Sequence, residues 1–354
     1  MKILYSFWGF LTPFENSTVV ATPDGERGNR VDMVDEMLKR GHQVIRLQQQ
    51  RDEEPYPGVS TCSTGFPDGD VVYLEWRWPT WKNDYSLGGD RASEPDYRRQ
   101  MQVLEHYHKL GVPILIHDGD LKMTPKEELM FPNAVLSDAC INPRVQTRKR
   151  ITVPWCNYLK RRWKTVDHSY NYTYVGNNYD RDVQFDKYYS STSRSLRDRG
   201  VQTKVWGNWL ERSPERIDPS MLLKKNPTIA FGHRLAYKEI FEVINKSIAV
   251  THITRDDYTP YGNITGRFLE SVMAGTVALI PHEYVHARAV GLDEFVVKNP
   301  SDVIRCVMSL SKLSAIDRAQ IVSQQEVALR STVDIRPEHK VDLIEAVAKE
   351  EIRA

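Results

Sequence analysis

The sequence is poor in cysteine, with four in 354 residues: Cys62, Cys140, Cys156 and Cys306. No two of them form a CxxC pair, so neither a zinc ribbon nor a redox-active dithiol is predicted. Four scattered thiols in a chain of this length are also too few for a disulfide-stabilised scaffold.

The chain also lacks an excess of either charge and lacks long apolar runs. It has 48 Lys plus Arg against 47 Asp plus Glu, a formal net charge of +1. This balance excludes a uniformly basic nucleic-acid coat but not a local basic patch. No apolar stretch approaches the roughly 20 residues that span a bilayer, and the N-terminal segment has no small-residue cleavage site of a signal peptide. We therefore expect a soluble, cytoplasmic protein without a membrane partner.

What is present is typical of a globular protein, with 40% hydrophobic and 27% charged residues. At roughly 150 residues per domain, the length predicts two domains. Apolar runs and helical periodicity alternate in each half of the chain. The predicted strands cover 1–7, 42–47, 70–75, 113–117, 134–137 and 150–153, then 172–175, 201–206, 228–231, 247–252 and 277–280; the main predicted helices cover 29–40, 97–110, 185–199, 237–245 and 264–274.

This alternation predicts an α/β fold with two parallel sheets, each covered by helices on both faces. We assign residues 1–160 to an N-terminal Rossmann-like domain, 161–335 to a C-terminal one, and 336–354 to a final helix. Ligands of such sheets bind beyond the carboxyl ends of the strands.

The strongest chemical signal lies at the start of the helix predicted over 264–274. Arg267 and Glu270 are three residues apart and share one face of that helix. A helix N-terminus attracts anions, and an arginine there can form paired bonds to phosphate oxygens. A glutamate on the same face can accept hydrogen bonds from the hydroxyls of a ribose. A simple surface ion pair is the alternative interpretation.

Two further strand ends carry candidate binding residues. Gly176 and Asn177 follow the strand over 172–175, with Arg181 nearby, and a glycine there would let the backbone approach a pyrophosphate. His233 and Arg234 follow the strand over 228–231. Ordinary turns with solvated polar residues are the alternative for both segments.

In the first half, Asp118 directly follows the strand over 113–117. A carboxylate at this position is well placed to act as a general base. Asp120 and Glu26 are competing carboxylates, and a helix cap or an Asx-turn is the alternative role for Asp118. Asp118 and Asp120 also form a DxD pattern, so a metal site there is a further reading.

Basic residues are concentrated between positions 142 and 164, where no acidic residue occurs. Such a segment suits a phosphate backbone, whereas a solvated hinge is the alternative. Trp76 and Trp78 belong to an aromatic run. We expect part of this run in the core, and the rest on the acceptor side, where aromatic side chains receive a flipped base. The candidate nucleic-acid contacts are Arg148, Lys149, Arg150, Lys160, Arg161 and Arg162.

One motif points to a different class of protein. His282, Glu283 and His286 match HExxH, in which two histidines on one helix face bind zinc. The match directly follows a predicted strand, and no downstream helix supplies an evident third ligand. A zinc metallopeptidase is therefore retained as an alternative, and no metal ligand is assigned.

Taken together, these residues resemble those of the phage DNA β-glucosyltransferases, which have the GT-B fold. The resemblance covers nearly the whole chain and rests on Met1-Lys-Ile, Asp118, Tyr174-x-Gly176 and Ile264-Thr-x-Arg267-x-x-Glu270. It implies two Rossmann-like domains with a cleft between them, and a final helix that packs back on the N-terminal domain. The family carries additional arginines after the glycine turn, where this chain has Asn177, Asn178 and Tyr179.

The resemblance also implies an activity: transfer of a sugar from a nucleotide-sugar donor, UDP-linked, to a hydroxylated or hydroxymethylated base in phage DNA, with inversion. It implies that Asp118 is the base, that Arg267 holds the diphosphate, that Glu270 holds the ribose, and that His233 and Arg234 lie over the nucleotide base. The partners implied are modified double-stranded DNA and the nucleotide sugar. We expect a monomer in the host cytoplasm that requires no metal, with a divalent metal at most stimulating the reaction.

Two alternatives within the same architecture remain open at this stage. One is a GT-B transferase that acts on a small molecule or a glycan. The other is a catalytically silent DNA-binding module, which donor hydrolysis would distinguish from a transferase.

Overall fold

The computed structural model describes residues 1–7, 11, 27–47, 55–76, 95–155, 163–212 and 217–354. These residues form two compact units. One contains the described residues up to 155 together with 335–354, and the other contains residues 163–334. Each unit is built around one sheet.

The first sheet has seven strands, all parallel. They are β1 (Lys2–Ser6), β2 (Gln43–Arg46), β3 (Val59–Thr61), β4 (Val71–Glu75), β5 (Ile114–His117), β6 (Val135–Asp138) and β7 (Arg150–Thr152). Their order is β3-β2-β1-β4-β5-β6-β7. The strand order therefore changes direction between β1 and β4, as in a doubly wound sheet.

The second sheet repeats this plan with six parallel strands. They are β8 (Asn171–Val175), β9 (Gln202–Trp206), β10 (Ile229–Gly232), β11 (Ser247–Thr251), β12 (Val277–Pro281) and β13 (Val296–Val297). Their order is β10-β9-β8-β11-β12-β13, so the direction changes between β8 and β11. The predicted α/β class with two parallel sheets is confirmed.

Helices connect the strands. In chain order they are α1 (Arg27–Lys39), α2 (Pro95–Lys109), α3 (Pro125–Met130), α4 (Asp182–Phe185), α5 (Ser191–Arg197), α6 (Pro219–Lys225), α7 (Tyr237–Asn245), α8 (Gly266–Met273), α9 (Ala287–Gly291), α10 (Pro300–Leu310), α11 (Ala315–Thr332) and α12 (Pro337–Ala348). A π-helical turn over Asp186–Ser190 joins α4 to α5, so the helix predicted over 185–199 begins earlier and is not regular. The short elements β3, α3, α6 and β13 were not predicted, because they contain too few residues to show a period.

Burial explains why the central strands are apolar. All five residues of β4 are buried, as expected for a parallel strand that is covered on both faces. Val71 and Tyr73 pack in a core with residues of α1 and α12, whereas Val72 and Leu74 pack in a second core with residues of α2. The C-terminal helix α12 therefore completes the first unit, although the whole second unit precedes it in the chain.

The glycine that follows α8 provides a test of how closely the end of this helix packs against residues 163–165. Gly275 has φ +73°, and a Cβ atom there would lie 2.9 Å from both the main-chain oxygen of Trp163 and Oγ1 of Thr165. Gly200 has a similar φ of +81°, but no atom lies within 4 Å of its Cβ position. We expect Gly200→Ala to lose about 1 kcal/mol of unfolding free energy from backbone strain. Gly275→Ala should lose about 1–3 kcal/mol more, because steric overlap is added. Urea denaturation measures both, and equal losses would contradict the packing.

Candidate functional site

At the switch point of the second sheet, β8 and β11 stop pairing before their carboxyl ends. The β8–β11 pairing includes only Asn171 and Tyr172 of β8, with a register shift on β11. Beyond them the phenol of Tyr189 lies between the strands: its hydroxyl is 3.0 Å from the main-chain oxygens of Thr173 and Thr251 and accepts from the Thr251 amide at 2.8 Å. Such a switch point is where ligands of doubly wound sheets bind.

The loop after β8 is held close to the sheet by its own polar groups. The main-chain oxygen of Gly176 accepts from Trp209 Nε1 at 2.8 Å, and that of Asn177 accepts from Arg181 Nη1 at 2.6 Å. A Cβ atom on Gly176 would lie 2.6 Å from the hydroxyl of Tyr174. Glycine is therefore required here for packing against the buried Tyr174.

Arg267 and Glu270 lie in the first turns of α8, as predicted. Arg267 Nη1 bonds Glu270 Oε2, and Glu270 is buried while Arg267 is partly exposed. Burial raises the pKa of Glu270, and the Arg267 charge opposes this rise. Among the described residues, Thr265 before the helix makes no capping bond with its side chain. The pair is thus more than a surface salt bridge, and the helix start retains amide groups that can donate to an anion.

Two guanidinium groups from different segments act electrostatically on Tyr174, near the end of β8. Burial raises the pKa of Tyr174, and the positive charges of Arg181 and Arg267 both oppose that rise. Both cations are therefore close enough to act on the same phenol. Four of the predicted donor residues, Gly176, Asn177, Arg181 and Arg267, lie at the carboxyl end of β8 or beside it.

His233 and Arg234 lie further away in the sheet, after β10, the strand two positions from β8. Arg234 forms a two-point ion pair with Glu211, with Nε–Oε1 and Nη2–Oε2 distances of 2.5 Å each. Its charge is thus already matched by a carboxylate. His233 is exposed.

In the first unit, Asp118 is buried at the end of β5. Its Oδ1 accepts from the amide of Lys122 at 2.8 Å; its Oδ2 accepts from the amide of Met123 at 3.0 Å and from Arg150 Nη1 at 3.1 Å. Burial raises the pKa of Asp118, whereas Arg150 and the two amides oppose this rise. The carboxylate therefore accepts hydrogen bonds from two amides of the loop that follows it and is also ion-paired with Arg150.

Arg150 neutralises a group of three carboxylates. Besides Asp118, its guanidinium bonds Glu128 Oε1 at 2.6 Å and lies 3.6 Å from Asp138 Oδ2, and it has no exposed surface. Its predicted contact with DNA is therefore wrong, because the side chain points into the unit. Arg148 is also directed inwards: it donates to the main-chain oxygens of Phe131 at 2.8 Å and Ala134 at 2.5 Å.

The remaining predicted acceptor residues differ in position. Lys149 is exposed. Trp76 is buried in the core and meets Tyr97 edge-on, so its predicted role in an acceptor site is corrected to packing. Trp78, Lys160, Arg161, Arg162 and the competing carboxylate Glu26 lie outside the described residues.

Two buried polar residues at strand ends were not identified from the sequence. Glu75, at the end of β4, accepts from Arg30 Nε at 2.9 Å and from Tyr5, all within the core. A lone glutamate at the end of an apolar strand was the available signal. His252, immediately after β11, is buried beside α8, and its only signal was its position at the end of the strand predicted over 247–252.

The HExxH segment does not form a helix. Residues 282–286 form a turn in which His286 has φ +64°. Glu283 is bound by Lys187 and by the hydroxyl of Tyr188, the latter at 2.6 Å. Within the described part of the chain, no three His, Cys, Asp or Glu side chains are grouped so as to hold a metal. The zinc-peptidase alternative is therefore not supported, since the motif requires both histidines on one helix face.

The fold is similar to that of solved GT-B glycosyltransferases. A structure of T4 phage β-glucosyltransferase in complex with UDP and Mn²⁺ matches with a TM-score of 0.64 at 17% identity, over 98% of this chain and 99% of that one. An α-glucosyltransferase in complex with UDP and a 13-mer DNA containing an HMU base matches with a TM-score of 0.60 at 12% identity, over 99% of both chains. A glycosyltransferase involved in lipopolysaccharide biosynthesis gives a TM-score of 0.50 at 14% identity, over 97% of this chain and 99% of that one.

At these identities the likeness shows the fold, and the predicted GT-B fold is confirmed. No protein-family model and no curated protein matches the sequence. No helix in the described residues is long and apolar enough to cross a membrane.

The Arg150 network predicts a large effect on stability. Arg150→Met would leave three buried carboxylates without their shared cation, and we expect a loss of about 3–5 kcal/mol at neutral pH. The loss should shrink as the pH falls, because Asp118 and Asp138, whose pKa values burial raises, then take up protons. The adjacent Lys149→Met removes the same charge from an exposed position and should change stability little. Chemical denaturation at several pH values is the measurement, and similar losses in both variants would refute the network.

Proposed function

We propose that the protein is a glycosyltransferase that moves a sugar from a UDP-linked donor to a hydroxylated or hydroxymethylated base in phage DNA, by a single inverting displacement. The observation that carries the proposal is the Arg267–Glu270 pair in the first turns of α8, the helix after β11 at the switch point of the second sheet, together with Arg181 in the loop after β8. Proteins of similar fold have been solved with UDP, and one of them with DNA containing a modified base.

The donor would bind in the second unit. Arg267 and the amides at the start of α8 would bind the diphosphate oxygens. Arg181, in the loop after β8, would add a second positive charge. Glu270 Oε2 is bonded to Arg267, and among the described residues no donor bonds Oε1. That oxygen is therefore available to accept from a ribose hydroxyl.

Asp118 of the first unit would be the general base. Its Oδ1 accepts one hydrogen bond in the structure, and a carboxylate oxygen can accept about two. In the step we propose, the acceptor hydroxyl gives its proton to Asp118 as its oxygen bonds the anomeric carbon. The bond from that carbon to the diphosphate breaks, and the electron pair leaves with UDP, whose charge Arg267 meets. A single displacement from the opposite side inverts the anomeric centre.

The acceptor that we propose is a modified base in DNA. It is supported by the exposed Lys149 and by the cations at 160–162 of the same basic segment. One observation favours a second candidate, a small-molecule or glycan acceptor: Arg148 and Arg150 are used inside the first unit and add nothing to a phosphate-binding surface. A structural neighbour that takes part in lipopolysaccharide biosynthesis has the same fold.

Nucleoside mass spectrometry distinguishes these acceptors. The protein is incubated with UDP-sugars and with duplexes that carry either hydroxymethylated or unmodified bases. The proposal requires a mass increase of one sugar on the modified nucleoside only, in reactions with and without EDTA, since arginines supply the charge for the leaving group. Donor turnover without any labelled nucleoside would favour the small-molecule or glycan acceptor.

Removing Arg267 should weaken donor binding. A charged hydrogen bond to phosphate contributes about 1.5–3 kcal/mol, so Arg267→Ala should raise the Kd of UDP roughly 10- to 150-fold. Arg305→Ala removes an exposed arginine from α10 of the same unit and should leave the Kd unchanged. Isothermal titration calorimetry gives both values. An unaltered Kd in Arg267→Ala would remove Arg267 from the site.

Asp118→Asn should abolish transfer while UDP still binds. Loss of a general base typically lowers turnover about 10²- to 10⁴-fold, and the donor groups lie in the other unit. Asp138→Asn alters the same Arg150 network without touching the proposed base, so it controls for structural effects and should retain most of the turnover. Should Asp118→Asn turn over at the normal rate, Asp120 or Glu26 would be the next candidates.

A further inference from the structure

We infer that His252 is a further residue of the donor site and that its imidazole donates a hydrogen bond to a phosphate oxygen of the bound nucleoside diphosphate. This inference rests on the proposed function. It adds an uncharged donor to a site otherwise formed by two arginines and the start of a helix.

The backbone fixes His252 at the switch point. Its amide donates to the main-chain oxygen of Leu279 in β12 at 2.8 Å, directly after β11 ends. The ring lies 5.3 Å from that of Phe268, the residue after Arg267 in α8, and 5.6 Å from that of Tyr284, which it meets edge-on. His252 is therefore rigidly placed next to the first turn of α8.

The ring has polar atoms that the described residues do not use. His252 is 5% exposed, and no described residue hydrogen-bonds either Nδ1 or Nε2. Buried polar atoms in native proteins are nearly always paired, so these two nitrogens call for a partner beyond the described residues. His117, which ends β5 in the first sheet, differs in Nδ1, which lies 3.1 Å from Ser137 Oγ, so only its Nε2 has no partner among the described residues.

The electrostatic surroundings keep the ring neutral. Burial and the positive charge of Arg181 lower the pKa of His252 to about 3. At neutral pH the imidazole therefore has one N–H donor and one acceptor nitrogen. Burial contributes most to this shift and Arg181 of the loop after β8 adds to it, so an anion bound beside the ring would be attracted by the arginine and would accept from the neutral imidazole.

Calorimetry with UDP tests the contact. His252→Phe keeps an aromatic ring between Phe268 and Tyr284 but removes both nitrogens, and we expect it to weaken UDP binding about tenfold or more. His252→Gln, whose amide can still donate, should recover most of the affinity. Uridine, which lacks phosphates, should bind the wild type and His252→Phe equally in an NMR titration. His117→Phe is the matched control at the end of a strand in the first sheet and should bind UDP normally.

A second measurement uses the unaltered protein, so it does not depend on how a variant folds. In ¹⁵N-histidine-labelled wild type, UDP should shift the ring nitrogen signals of His252, which are assigned by their loss in His252→Gln. If UDP binds the wild type but leaves these signals and the His252→Phe affinity unchanged, the inference is wrong and the proposed function stands. If neither UDP nor another nucleoside diphosphate binds the wild type, both are wrong.

Discussion

Both sheets are parallel throughout, and this constraint determines where the chemistry of the chain is located. Parallel strands end at one common edge, and the central strands are covered on both faces, so their interiors are mostly apolar. The candidate functional residues accordingly lie where strands end or helices begin. Asp118 follows β5, Gly176 follows β8 and His252 follows β11, while Arg267 begins the helix that leads into β12.

The carboxyl edges of the two sheets differ in how their charged side chains are paired. At the edge of the first sheet, Arg150 is surrounded by Asp118, Glu128 and Asp138, so its charge is fully compensated within the unit. At the edge of the second sheet, Arg181 and Arg267 act on one phenol, and Glu270 is the carboxylate that pairs with Arg267. The first arrangement holds a carboxylate in a fixed orientation, and the second attracts an anion. The base and the diphosphate site that we propose would need these two different arrangements.

Sequence reasoning succeeded where the signal was local and failed where it depended on the direction of a side chain. Arg267 and Glu270 are three residues apart, a spacing that places them on one face of any helix, and they are paired on α8 in the structure. The run Arg148-Lys149-Arg150 was read as three equivalent cations, yet Lys149 is exposed, while Arg148 and Arg150 form hydrogen bonds and ion pairs inside the first unit. His252 could not be found from sequence, because a histidine after a strand is ordinary until its ring nitrogens are seen to be unpartnered.

The contact between Arg150 and Asp118 sets opposing requirements on the general base that we propose. A general base is most effective when its pKa lies near the working pH. Burial raises the pKa of Asp118, whereas Arg150 and two amides oppose this rise. Arg150 also orients the carboxylate, because its Nη1 donates to Oδ2 at 3.1 Å. Replacing Arg150 with an uncharged residue would remove both effects, so the orientation and the pKa of Asp118 depend on the same guanidinium group.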